Sequence, residues 1–208
     1  MYSKTLLAAV LAVSADGFAF IPKNVAHTAP ASKSVLNMSI GLYYSTSTGN
    51  TETVAGYIAE AVGGLEPEDI GDASDDEITG HDSLIVGAPT WHTGAETERS
   101  GTSWDDWLYN TLPNLDLDGK KVAVFGCGDQ DSYSDNYCDA AGELYDLFEA
   151  KGCKIFGLTS TDGFNHEESK AERDGKFVGA MFDEDNQYDL SEDRAQAWIA
   201  QLKEEGFM

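Results

Sequence analysis

Ile40-Gly41-Leu42-Tyr43-Tyr44-Ser45-Thr46-Ser47-Thr48-Gly49-Asn50-Thr51 is the stretch that decides the fold. A short run of strand formers passes without a spacer into a hydroxyl-rich turn. From Thr51 to Val62, the residues Val54, Ala55, Ile58, Ala59 and Val62 recur at helical spacing until Gly63-Gly64 stops them. A strand feeding a helix N-terminus opens a βα unit, and such a terminus presents unpaired amides and a positive dipole end to anions. The hydroxyls of Thr46, Thr48 and Thr51 add donors in a turn that also holds Ser47 and Asn50, and Gly49 lets the backbone approach closely. Lysine is missing, so this is no Walker loop, and no G-x-G-x-x-G opens a dinucleotide site. Neutral donors of this kind suit a monophosphate. On these residues alone, a Ser/Thr turn that merely caps its own helix fits equally well.

Outward from this unit the pattern repeats. Leu84 to Ala88 and Val122 to Phe125 read as strands buried on both faces, the mark of a parallel sheet. Ala140 to Phe148 carries apolar residues on one face, with Gly152 as its C-cap candidate; Ile155 to Leu158 is a further strand, and Arg194 to Leu202 a last helix. The expected fold is α/β: a doubly wound, five-stranded parallel sheet of order 2-1-3-4-5 with helices on both faces. About thirty residues separate Leu158 from Ser191, too many for a simple connection. Lys176 to Phe182 within them is again strand-like, so the last strand is expected to be split by an insertion.

The chain holds 37 acids and 13 bases, net −24; residues 1–38 contribute Lys4, Lys23, Lys33 and Asp16, leaving 36 acids and 10 bases, net −26, on residues 39–208. Such a field repels nucleic acid and anionic membrane and steers association with basic protein surfaces. The acidic stretch Glu66 to Glu77 reads as a solvated face, with part of a partner-docking surface as the other reading. Cys127, Cys138 and Cys153 are odd in number without C-x-x-C spacing, so buried apolar thiols are expected rather than disulfides or zinc. Residues 1–17 have one early lysine and a short apolar run, as a signal peptide does; 18–38 have two lysines and no acid, as a transit segment does. The sequence thus divides into a bipartite targeting leader (1–38) and one domain (39–208). The leader resembles those of algae with plastids of secondary endosymbiotic origin, its signal peptide ending just before Phe18 in Ala15-Asp16-Gly17-Phe18-Ala19-Phe20-Ile21-Pro22; plain secretion is the other reading.

Leu42 through Thr51, continuing to Ile58, resembles the signature of the flavodoxin family at every constrained position. Pro89-Thr90-Trp91, Gly126-Cys127-Gly128-Asp129-Gln130 and Tyr133-Ser134-Asp135-Asn136 are similar to its two flavin-contacting loops. Thr161-Asp162-Gly163-Phe164 and Asp183-Glu184-Asp185-Asn186-Gln187 resemble the insertion of long-chain flavodoxins. The similarity runs over about residues 39–206, with Asn50 standing where many relatives have lysine and Cys127 where threonine is common. It implies bound FMN: phosphate in the 46–51 loop, the ring between Trp91 and Tyr133, and Asp129 accepting from flavin N3–H. Thr90, Asp185 and Asn136 would meet the ribityl chain, and Cys127 and Gly128 belong to the second flavin-contacting loop.

The resemblance also implies the chemistry. Reduced FMN is an anion, disfavoured by stacked aromatics and the −26 charge; each tenfold loss of affinity relative to the semiquinone lowers that couple by about 60 mV. In the family a backbone carbonyl turns toward N5–H of the neutral semiquinone. His92-Thr93-Gly94 occupies that loop here, with the His92 carbonyl as candidate and Gly94 easing the turn. The expected function is a monomeric, low-potential one-electron carrier without substrate turnover of its own. By family it would shuttle from photosystem I to ferredoxin–NADP reductase in the chloroplast, in place of ferredoxin under iron shortage. An FMN-dependent NAD(P)H quinone reductase is the enzyme alternative. A response-regulator receiver is excluded, because Ser45-Thr46 and Thr90-Trp91 stand where its acids belong.

Overall fold

The computed structural model describes residues 38–208, so the targeting leader expected over 1–38 lies, apart from Met38, outside the described residues. Strand β1 (Ile40–Tyr44) leads into helix α1 (Asn50–Val62), and β2 (Glu68–Asp69), α2 (Asp75–Gly80) and β3 (Ser83–Pro89) follow. After a short helix α3 (Ser103–Asp106) and a π-helical turn (Trp107–Thr111) come β4 (Lys121–Cys127), α4 (Asp139–Ala150) and β5 (Lys154–Phe156). The chain closes with β6 (Thr159–Ser160), β7 (Glu172–Arg173), β8 (Lys176–Phe177), β9 (Gly179–Phe182) and α5 (Ser191–Glu204).

The main sheet is parallel, in the order β2-β1-β3-β4 and then β5. The last position is shared. β5 pairs with Lys121–Ala123 of β4, and β9 continues the same edge against Val124–Cys127. The expected split strand is therefore one row built from two pieces of chain. The intervening residues carry a small antiparallel sheet, β6-β8-β7.

Side chains alternate across this sheet because strand residues point to opposite faces in turn. Leu42, Ile85, Ala123 and Phe125 pack under α1 and α5. Tyr43, Leu84, Val86, Val122 and Val124 pack on the other face with α4 and the pair Trp104 and Trp107. Both faces are thus covered, which explains the unbroken apolar runs of β3 and β4. All three cysteines are buried and free.

Three expectations change in detail. The acidic stretch Glu66 to Glu77 is not only a solvated face: Glu68 and Asp69 pair with Tyr43 and Tyr44 as the edge strand, and Ile70 is buried behind them. The strand expected to reach Leu158 ends at Phe156, since Gly157 takes a left-handed turn with φ 80° and its N–H donates to Glu205. Asp183 to Gln187 does not belong to the inserted sheet; it follows β9 at the carboxyl end of the main sheet.

Candidate functional site

Beyond the carboxyl ends of β1, β3, β4 and β9 the connecting loops enclose a cavity of about 380 Å³. Four loops line it: Thr48, Asn50 and Thr51 after β1; Pro89, Thr90, Trp91 and Thr93 after β3; Cys127, Gly128, Asp129 and Tyr133 after β4; Glu184 and Asp185 after β9. This is where strand order reverses in a doubly wound sheet, the usual place for a ligand.

At one end lies the α1 N-terminus. Gly49 sits left-handed (φ 97°), and α1 starts with no side-chain cap, leaving its first amides for another acceptor. The Thr51 hydroxyl is fully buried yet has no hydrogen-bond partner. A buried unpaired hydroxyl costs free energy, so a ligand oxygen is the natural partner. Thr46 turns inward, accepting the Gly49 N–H at 3.0 Å. Thr46, Ser47 and Gly49 shape the loop without lining the cavity.

At the other end two aromatics stand open, Trp91 at 49% and Tyr133 at 54% exposure. Large rings left this bare on separate loops around one cavity suit a flat ligand between them. The Asp129 carboxylate accepts N–H from Asp131 (3.1 Å), Ser132 (2.9 Å) and the Asn186 amide (2.9 Å), all on Oδ1, so Oδ2 stays available. The Thr90 hydroxyl accepts from the Ala140 N–H at 3.0 Å and retains its own proton to donate. Cys127 is buried, which drives its thiol far above the ordinary range. The His92 carbonyl accepts the Ala95 N–H at 3.1 Å, closing a turn in which Gly94 has φ 77°. His92 and Gly94 thus lie in the Trp91 loop but do not line the cavity. Asn136 stands outside the lining too, its amide donating to Asp139 at 3.3 Å.

Against known proteins, the flavodoxin family model matches residues 42–198. The chain belongs to the flavodoxin family. It is 46% identical over 167 residues to the flavodoxin of the cyanobacterium Picosynechococcus, covering 79% of this chain and 95% of that one. It is 43% identical over 172 residues to that of Nostoc, covering 82% and 98%. Among solved structures, the Fusobacterium nucleatum flavodoxin bound to flavin mononucleotide superposes with a TM-score of 0.72 at 30% identity, covering 81% of this chain and 98% of that one. The family's fold and the cavity's position at the strand switch point therefore agree.

The site is acidic, and its carboxyls are not alike. Burial pushes Asp129 up, but hydrogen bonds from Ser132, Asn186 and Asp131 outweigh it and hold it below the usual range. Burial raises Asp185, with the charges of Asp129 and Asp183 adding to it. Glu184 is likewise raised, first by burial and further by Asp183 and Asp185, and its Oε1 is buried without a partner. Glu184 is a lining residue that sequence reasoning missed, and Pro89, quoted above only as part of a flavin-contacting loop, lines the cavity too. Pro89 simply ends β3. Glu184 sits between two acids in a run read as part of the insertion, and only the β9–β4 pairing brings it to the cavity.

Proposed function

We propose that this chain binds FMN in the 380 Å³ cavity and works as a low-potential, one-electron carrier. The observation that carries it is the pairing of an uncapped helix N-terminus, with the orphaned Thr51 hydroxyl, and two bare aromatics across the same cavity. The residues fit the group. Amides of the 47–51 loop and the Thr51 hydroxyl would hold the phosphate, Trp91 and Tyr133 would cover the ring faces, and Asp129 Oδ2 would face its polar edge. Thr90 and Asp185 would meet the ribityl hydroxyls. FMN, when bound, supplies the redox chemistry, taking and giving single electrons. The protein's part is to bind, stack, exclude water and surround the ring with acids that disfavour added negative charge.

The family resemblance implies photosystem I as donor and ferredoxin–NADP reductase as acceptor in the plastid stroma, and cyanobacterial flavodoxins among the relatives fit a photosynthetic setting. Iron shortage is the condition under which such a carrier would replace ferredoxin. The leader composition of residues 1–38 supports plastid import and a mature chain starting near Ser39. The test is direct. Apoprotein is titrated with FMN and with riboflavin while flavin fluorescence is followed, and the complex is then reduced stepwise under visible absorbance. Tight, quenched binding of FMN with much weaker riboflavin binding, and two separated one-electron steps, are expected. Equal affinity for both flavins, or turnover of NAD(P)H without a partner protein, overturns the reading.

A further inference from the structure

Glu143 lies on the second turn of α4, only 3% exposed, on a helix that contributes no residue to the cavity lining. One of its oxygens accepts the Glu98 N–H at 2.8 Å and the other the Arg99 N–H at 2.8 Å; the Tyr109 hydroxyl donates as well. The next two amides end on a second carboxylate. Asp105 accepts the Ser100 N–H at 3.0 Å and the Gly101 N–H at 2.8 Å. Four consecutive backbone N–H groups, 98 to 101, are therefore fixed by two carboxylates.

What those four residues carry is the Trp91 loop. The Arg99 carbonyl accepts both the Trp91 N–H (3.2 Å) and the His92 N–H (3.1 Å), and the Glu98 carbonyl lies 2.6 Å from His92 Nδ1. Gly101 lies close against Trp91, where a Cβ would come within 2.7 Å of the Trp91 Cβ. Glu98 holds a left-handed backbone (φ 57°), a conformation a non-glycine residue keeps only when its surroundings impose it.

We propose that Glu143 is a positioning residue for flavin binding: together with Asp105 it fixes the 98–101 segment and so presets Trp91 and the His92–Gly94 turn against the ring. Burying a carboxylate costs free energy unless charge-assisted hydrogen bonds offset it. An apolar side chain would fill the same place on α4 at no such cost, so the carboxylate is explained by the two amides it holds. A long exposed loop left without it would have to be ordered by the ligand itself, and affinity would fall by that cost. The inference rests on the FMN reading above.

The test compares wild type with Glu143→Gln, which keeps the shape but sets an amide N–H against a backbone N–H. Glu149→Gln, on the exposed side of the same helix, is the control. For E143Q, FMN affinity is expected to fall about tenfold, some flavin fluorescence to return in the saturated complex, and at least one of the two one-electron potentials to shift. E149Q is expected to match wild type. If E143Q lowers melting temperature but keeps wild-type affinity, quenching and both potentials, Glu143 only packs the core and the proposal falls. Should E143Q not fold, hydrogen exchange on the wild-type apoprotein decides it. Amides 98 to 101 are expected to be as protected as those inside α4, and exchange at exposed-loop rates overturns the proposal. Failure of wild type to bind FMN at all would sink the carrier reading instead, and protection of the same amides would then show the staple without its ligand.

Discussion

The Thr51 hydroxyl is buried with no partner at the start of α1, so its removal from the ligand-free protein should cost little while its removal from the complex should cost a charge-assisted bond. Thr51→Val is therefore expected to weaken FMN binding by about 1.5–3 kcal/mol, roughly ten- to 150-fold in affinity, and to leave riboflavin binding unchanged. Fluorescence titration of both flavins checks this, and equal losses for both would place the phosphate elsewhere. Glu184 gives a prediction of opposite sign. Its folded-state pKa is raised, chiefly by burial, so its ionised form weakens the fold above that pKa, and the penalty vanishes once pH falls below the ordinary value of 4.5. Glu184→Gln should thus stabilise the apoprotein at pH 7 and lose that advantage near pH 4, as read by urea unfolding at both values. A variant no more stable at pH 7 would show the carboxyl to be well solvated. Much of this site was legible because its chemistry is local. The 46–51 loop, Trp91 and Asp129 each follow a strand end directly. Glu184 was not, because its place depends on where β9 pairs.

At the level of elements, the inserted segment is fastened to α4 by a close approach. A Cβ on Gly142 would meet the Lys170 carbonyl oxygen at 2.0 Å, and the Lys170 N–H donates to Asp139 at 2.7 Å. Gly142→Ala, favourable by helix propensity alone, should instead destabilise by about 1–3 kcal/mol because backbone must move. A denaturant midpoint at or above wild type would mean that the insertion rides loosely on α4. The insertion's existence was legible from its length, but its small sheet was not: β6 and β7 are two residues each, too short for any alternation to register, and the strand-like run Lys176 to Phe182 divides at Val178 between β8 of the small sheet and β9 of the main one. The same limit hid β2, two acids held by pairing with β1 rather than by apolar burial. The segment from Ser103 to Asn114 escaped notice for another reason. Trp104 and Trp107 meet edge to face 5.3 Å apart and pack on Phe148, and the Trp104 ring N–H reaches the Gly87 carbonyl at 2.8 Å. Aromatic anchors of this kind need no helical stripe. The main sheet was readable because β3 and β4 carry apolar runs, Leu84 to Ala88 and Val122 to Phe125, that are buried throughout.

For the whole molecule the governing quantity is charge, 36 acids against 10 bases over residues 39–208. A shuttle must meet its partners quickly and leave them quickly, and long-range attraction to basic surfaces supplies that without a large apolar interface. Reduction or oxidation by a basic partner should slow as salt rises from about 10 to 300 mM, where the screening length shrinks from about 30 Å to less than 8 Å. Very strong attraction can also trap misoriented encounters at low salt, so the slope is read on the high-salt limb. Position sharpens the test. Asp131 and Asp135 are exposed and flank the cavity-lining Tyr133 in sequence. Asp116 precedes β4 and Glu204 ends α5, both exposed and away from the cavity-lining loops. Neutralising Asp131 and Asp135 together should reduce the partner rate and flatten its salt dependence more than neutralising Asp116 and Glu204, although net charge changes equally. Stopped-flow rates across ionic strength measure both. Equal effects from the two pairs would mean that only total charge matters, and a rate indifferent to salt would remove electrostatic docking at the flavin face altogether.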